Sequence, residues 1–253
     1  MNVALLGCGA IGREVARAID EGRAGPIRLL WVFDRNRNKA EELSQSLKSR
    51  PKVAEKMEEI LADKEVELVI EAASQEAVRD YGENILKSGK DLLILSTGAL
   101  MDSQLFGRLL GARKSGRRIY IPSGAILGID ALKACQLAGI EEVELITRKS
   151  LPGTTGTVFE GSVREAVRKF PKSINIAATL ALVVGEDKVK VRIISDPSLK
   201  KTVHELRVKS RVSDIFCRVE SLPFEQNPLS SKITAHSVIS LLRDLTEPVR
   251  IGT

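Results

Sequence analysis

The stretch Gly7-Cys8-Gly9-Ala10-Ile11-Gly12 has the spacing G-x-G-x-x-G. It directly follows an apolar run, Val3–Leu6, and opens a stretch of helical periodicity, Ile11–Ile19. In that setting the first glycine permits a tight turn, the second lets the backbone approach a pyrophosphate, and the third allows close helix–strand packing. The helix N-terminus then offers free N–H groups and the positive end of its dipole to the phosphates. Asp34 follows Gly12 by 22 residues at the end of the next apolar run, where a carboxylate can accept hydrogen bonds from ribose hydroxyls. Asp34 disfavours a 2′-phosphate, whereas Arg35 and Arg37 beside it could neutralise one, so the expected cofactor is NAD or NADP. Ala72-Ala73-Ser74 and Ser96-Thr97-Gly98-Ala99 sit after two later strands, where ligands of open α/β sheets lie. The candidate cofactor-binding residues from this pattern are Gly7, Gly9, Ala10, Ile11, Gly12, Asp34, Arg35, Ala73, Ser74, Thr97 and Gly98. The plainer alternative is a glycine-rich turn followed by ordinary strand-to-helix turns.

A nicotinamide cofactor implies hydride transfer, which needs an acid or base and a means of orienting the substrate. The chain has two histidines. His204 shares a strand face with Leu206 and Val208, opposite Glu205, Arg207 and Lys209, so it points inward; an imidazole there suits proton transfer or simply a half-buried position. His236, between Ala235 and Ser237, reads as structural or surface. Asn175 lies in the first turn of a helix, able to hold a carboxamide or only to serve the helix start. Cys8, Cys135 and Cys217 are widely spaced and odd in number, which fits neither a zinc motif nor a disulfide framework, and no metal is expected.

These residues need elements to place them. Continuous apolar runs at Val3–Leu6, Leu29–Phe33, Val66–Ile70, Leu92–Leu95 and Ile119–Ile121 alternate with helical patterns at 11–19, 39–47, 76–87 and 103–115. Runs apolar throughout predict strands covered on both faces, and the alternation predicts a doubly wound parallel sheet of Rossmann type over residues 1–121. After Pro122 the pattern changes: a helix at 129–138, a strand at Val143–Thr147, a loop at Leu151–Gly156 and helices at 160–169 and 174–184, with Ser173 as N-cap of the second. Strands at 188–195, 202–210 and 214–221 alternate apolar and charged residues, the mark of an antiparallel sheet with one wet face. The fold class expected is therefore α/β, a Rossmann-type unit followed by a second α+β substrate and dimerisation domain at 122–228. The last segment, 229–253, carries an amphipathic helix at about 230–245 that returns to the first domain.

Of 253 residues, 43% are hydrophobic and 28% charged, which fits a globular protein and excludes a disordered or collagen-like chain. No apolar run reaches the ~18 residues of a membrane span, and the N-terminus has no secretory pattern. Three unpaired cysteines fit a reducing cytoplasm. The net charge of +6 comes from basic residues scattered among acidic ones, and aromatics are only 4%, so neither nucleic-acid nor membrane binding is expected.

With these features in place, the chain resembles the L-aspartate dehydrogenase family from end to end. The matching stretches are Gly7–Gly12, Val69–Ser74, Pro122-Ser123-Gly124-Ala125-Ile126, Thr147-Arg148-Lys149, Gly161–Leu182, Asp196-Pro197 followed by His204, and Asn227-Pro228. The resemblance implies a Rossmann domain with an α/β substrate domain, a homodimer, and NAD(P)-dependent oxidative deamination of L-aspartate to oxaloacetate and ammonia through iminoaspartate, with a link to NAD biosynthesis. It further implies His204 as the catalytic residue and Ala125 and Asn175 as cofactor-binding positions. Ser123, Arg148 and Lys172 are the expected substrate-carboxylate partners, on resemblance and position. Thr202 stands where the family often has asparagine, and threonine can still hydrogen-bond. Two other readings stay open: a related dehydrogenase or reductase acting on another amino or hydroxy acid, and a non-catalytic NAD-binding regulator.

Overall fold

The computed structural model describes residues 1–170, 174–249 and 251, with Leu229 by its backbone alone. The chain forms two compact units, one of Met1–Pro122 joined by the C-terminal residues from Ala235, the other of Ser123–Thr234.

In the first unit, strands β1 (Asn2–Leu6), β2 (Arg28–Phe33), β3 (Lys52–Val53), β4 (Leu68–Glu71), β5 (Asp91–Ile94) and β6 (Ile119–Tyr120) make one sheet in the order β3-β2-β1-β4-β5-β6. Every pairing is parallel. Parallel neighbours need crossovers, supplied by α1 (Ala10–Asp20), α2 (Arg37–Ser46), α3 (Met57–Ala62), α4 (Gln75–Lys87) and α5 (Ser103–Ala112). Val3–Leu6 and all of β4 are buried, as two-sided cover demands. The strand order reverses between β1 and β4, so the loops leaving these two strands diverge and open a crevice at their carboxyl ends.

In the second unit, α6 (Ile129–Ala138), β7 (Ile140–Lys149), β8 (Gly156–Ser162), α7 (Val163–Lys169), α8 (Asn175–Val184), β9 (Val189–Ser195), β10 (Thr202–Ser210) and β11 (Asp214–Ser221) follow in sequence. The sheet order is β11-β10-β7-β9-β8. Val143, Leu145, Val189, Val191, Ile193, Leu206 and Val208 form its buried inner face. A small hairpin, β12 (Pro223–Phe224) and β13 (Asn227–Ser231), leads into α9 (Lys232–Asp244), whose residues from Ala235 onward belong to the first unit.

The second unit differs from its sequence reading in two respects. Residues 188–195 and 202–210 are not neighbours: β7 lies between them, parallel to β9 and antiparallel to β10, giving a mixed sheet. Gly156–Ser162, expected to end a loop and begin a helix, is an edge strand antiparallel to β9. The helix after it starts only at Val163, where Ser162 caps it and Glu165 reaches back to Ser162 N at 2.9 Å. The expected N-cap Ser173 lies outside the described residues.

Candidate active site

The glycine turn leaves β1 at Gly7, whose φ of +102° is a left-handed geometry and whose added Cβ would sit 2.6 Å from the Ala72 carbonyl oxygen. A Cβ on Gly12 would overlap the Gly7 carbonyl oxygen. The fold itself therefore demands both glycines. Gly9 is different: a Cβ there meets nothing within 4 Å, so no atom of the described residues accounts for the missing side chain. Open space over a bare backbone at the N-cap of α1 is what a pyrophosphate needs. Ala10 and Ile11 begin that helix.

Asp34 follows β2 and accepts hydrogen bonds from Cys8 N at 2.8 Å and Asn36 N at 2.9 Å, so its carboxylate braces the glycine turn it also borders. A cavity of about 220 Å³ at this place is lined by Gly7, Gly9, Asp34, Arg35, Ala73 and Ser74, among others. The structure thus brings together six of the residues nominated from sequence, and adds Lys39 and Tyr81, which were not. Tyr81 stands edge-on to Phe33 at 5.8 Å. Arg35 is ion-paired with Glu76 at 2.8 Å, and Arg37 with Glu41 and Glu55, so both arginines have acidic partners. The Cys8 thiol is pushed up to about 12 by burial and by Asp34, which makes it inert as a nucleophile.

Thr97 and Gly98 are buried in a short 3-10 turn after β5. What ties this turn to the loop after β4 is Glu71, which is fully buried. Its carboxylate accepts hydrogen bonds from Ala73 N (2.9 Å), Leu95 N (3.1 Å), Ser96 N (2.9 Å) and Ser96 Oγ (2.8 Å). Burial pushes its pKa up, while these donors oppose the shift. Sequence reasoning missed Glu71 because it closes an apolar run; an acid there with no basic neighbour was the available signal.

Ala125, Asn175, Ser123 and His204 belong to the second unit. Ala125 is buried, Ser123 half-buried, and Asn175 is the first residue of α8. Lys172 lies outside the described residues. His204 is on the inner face of β10, 5% exposed, directly opposite Thr147 of β7. Thr147 Oγ1 is 3.0 Å from Nδ1 of His204, which leaves Nε2 for a reacting proton. Burial, aided by the nearby Lys149 ammonium, lowers the His204 pKa to about 4, so the ring is neutral near pH 7 and able to act as a base.

Arg148 corrects an expectation. It alternates to the outer face, away from His204, and lies 3.8 Å from Glu205, which Arg218 also holds at 2.5 Å. The cation on the His204 side is its neighbour Lys149, which sequence reasoning passed over. The alternation Val143, Leu145, Thr147, Lys149 was the signal that would have found it. His236 is exposed on α9. Among the described residues no cluster of His, Cys, Asp or Glu forms a metal site.

A six-stranded dinucleotide-binding sheet with a glycine turn at its crevice, followed by a mixed-sheet unit, is the plan of a pyridine-nucleotide-dependent oxidoreductase. Residues 7–122 match the family model described as homoserine dehydrogenase, NAD binding domain, and residues 130–245 the model described as aspartate dehydrogenase, C-terminal. The chain is 38% identical to an L-aspartate dehydrogenase of Methanocaldococcus jannaschii, with all of both chains covered. It is 40% identical to that of Methanothermobacter thermautotrophicus, over 100% of this chain and 99% of the relative. A crystal structure of aspartate dehydrogenase from Thermotoga maritima superposes with a TM-score of 0.81 at 30% identity, covering 100% of this chain and 99% of the other. The chain belongs to the L-aspartate dehydrogenase family.

Proposed function

We propose that the protein oxidises L-aspartate with NAD(P) to iminoaspartate, which water converts to oxaloacetate and ammonia. The observation that carries this reading is His204, a buried neutral imidazole oriented by Thr147, in a chain whose other unit holds a dinucleotide turn. The bound nicotinamide supplies the hydride acceptor for C2 of the substrate. Gly9 and the N-terminus of α1 hold the pyrophosphate, and Asp34 the ribose. Ala73, Ser74, Thr97, Gly98, Ala125 and Asn175 complete the cofactor contacts in this proposal. His204 Nε2 takes the proton from water as its oxygen adds to the imine carbon, with Nδ1–H donating to Thr147 Oγ1. In the reverse direction the same nitrogen returns the proton. Asp34 and the acid-paired Arg35 and Arg37 favour NAD over NADP.

The test is absorbance at 340 nm with NAD or NADP and L-aspartate, with L-glutamate and L-alanine as controls. A rise with aspartate alone is the expected result. Silence in both directions, including oxaloacetate plus ammonia, would refute the reading.

The same proposal includes a cytoplasmic enzyme, with the share of imine released before water adds to it feeding pyridine-nucleotide synthesis. No helix among the described residues is long and apolar enough to cross a membrane. It also includes a homodimer formed through the outer face of the second unit's sheet. That face carries a hollow of about 940 Å³ lined by Glu142, Glu144, Lys190, Arg192, Arg207 and Phe216, among others. Charges of both signs on one face let a second copy pair with it about a two-fold axis. Light scattering on wild type and on Phe216→Glu tests this; a monomeric wild type would refute it.

A further inference from the structure

Along most of its length the inner face of the second unit's sheet is apolar, but at one end it turns polar on four neighbouring strands. Thr202 of β10 stands opposite Ser221 of β11, and Lys149 of β7 opposite Ser195 of β9. The antiparallel register of β10 with β7, Val203 opposite Arg148, carried on by one residue, places Thr202 opposite Lys149. Ser221, Thr202, Lys149 and Ser195 therefore form one row across the sheet. The adjacent row on the same face holds His204 and Thr147. Residues two apart on a strand share a face and are separated by about 7 Å, so the two rows address one small molecule.

Most hydroxyls here are occupied. Ser195 Oγ donates to the Thr154 carbonyl at 2.8 Å, and Thr147 holds the His204 ring. Two groups stand out. Lys149 is 7% exposed, yet its ammonium makes no hydrogen bond or ion pair among the described residues. Ser221 is 5% exposed, and its Oγ meets no partner among the described residues. A hydroxyl buried without a partner is costly, and so, in smaller measure, is an ammonium without counter-charge on a largely buried side chain. Both costs vanish when an anion with acceptor oxygens occupies the row.

We propose that Lys149 and Ser221 hold a carboxylate of the substrate, Lys149 as its counter-charge and Ser221 as a hydroxyl donor, beside His204. This rests on the aspartate reading and names its anion receptor. The ammonium does a second thing: it adds to the effect of burial, which is the larger, in disfavouring a positive charge on His204.

Succinate, a dicarboxylate without the reacting amine, is the probe. Its affinity and that of NAD are measured by calorimetry on wild type, Lys149→Met and Ser221→Ala. Lys149→Met should weaken succinate about 10- to 100-fold and Ser221→Ala about three- to tenfold, both leaving NAD affinity unchanged. In Lys149→Met the acidic limb of the pH–rate profile, set by His204, should also move upward. Unchanged succinate affinity in Lys149→Met, or no succinate binding by wild type, overturns the proposal. Should Lys149→Met fail to fold, Ser221→Ala decides, since it removes only an oxygen without a partner; unchanged affinity there overturns it. Turnover of aspartate by wild type with no effect of Lys149 would sink this inference alone. Loss of succinate binding in Lys149→Met with a wild type inert toward aspartate would sink the functional reading and leave the anion row standing.

Discussion

Gly9 and Gly12 are the same residue type for opposite reasons, and substitution separates them. Alanine at Gly12 collides with the Gly7 backbone, which cannot yield without opening the turn, so Gly12→Ala should lower stability by about 3 kcal/mol or more. Alanine at Gly9 meets open space, so its melting temperature should match wild type while NAD affinity falls at least about tenfold. Equal NAD affinity in Gly9→Ala would show that the pyrophosphate does not lie there. His204 carries a second prediction. His204→Asn should reduce kcat by about 10²–10⁴ with NAD binding intact. Its folded pKa of about 4 lies below the ordinary 6.5, so on acidification the unfolded chain binds the proton first. The stability this histidine contributes is present above pH 6.5 and is lost as the pH falls through 4, on the order of 3 kcal/mol in all. Urea curves between pH 7.5 and 4 should therefore be flatter for His204→Asn than for wild type. At this scale the glycines, Asp34 and the inward face of His204 were legible, because spacing and strand alternation fix them. Lys149 was legible by the same alternation, Val143, Leu145, Thr147, Lys149; what no local pattern contains is the register of β7 against β10 that sets it beside His204.

The loops that border the crevice owe their shape to one acid at the end of β4. Glu71 accepts four hydrogen bonds from the segments after β4 and β5, and an amide cannot replace it, because its nitrogen would face N–H groups. Glu71→Gln should cost about 2–3 kcal/mol of stability, seen as a lower urea midpoint, and should weaken NAD binding through the loosened Ala72–Ser74 segment. A variant as stable as wild type would mean that these donors find other partners. The alternating strands and helices of the first unit were legible for the reason that makes them stable: strands covered on both faces are apolar throughout. The edge strand β8 was not, because Gly156-Thr157-Val158-Phe159-Glu160-Gly161-Ser162 has glycine near both ends and lies at the sheet margin, where one flank alone is paired. The partnership of β7 with both β9 and β10 was equally hidden. Alternation reports that one face is wet but says nothing of which strands are neighbours.

At the scale of the molecule, the dinucleotide turn lies in one unit of the chain and His204 in the other, and ligand binding should report that division. A ligand that binds the folded form stabilises what it binds by about 2.7 kcal/mol at 100 times its dissociation constant. Amide hydrogen exchange resolves where that stabilisation falls, because local opening is measured segment by segment. With saturating NAD, slower exchange is expected at Gly7–Gly12, at Ala72–Ser74 and after β5, whose backbone borders the crevice. With succinate it is expected at the carboxyl ends of β7 and β11 and at Thr202–His204, where the row of Lys149 and Ser221 lies. Each ligand alone should leave the other set unchanged. Protection of both sets by either ligand would show that the two units open together, and the separate placement of pyrophosphate and carboxylate sites would then fail.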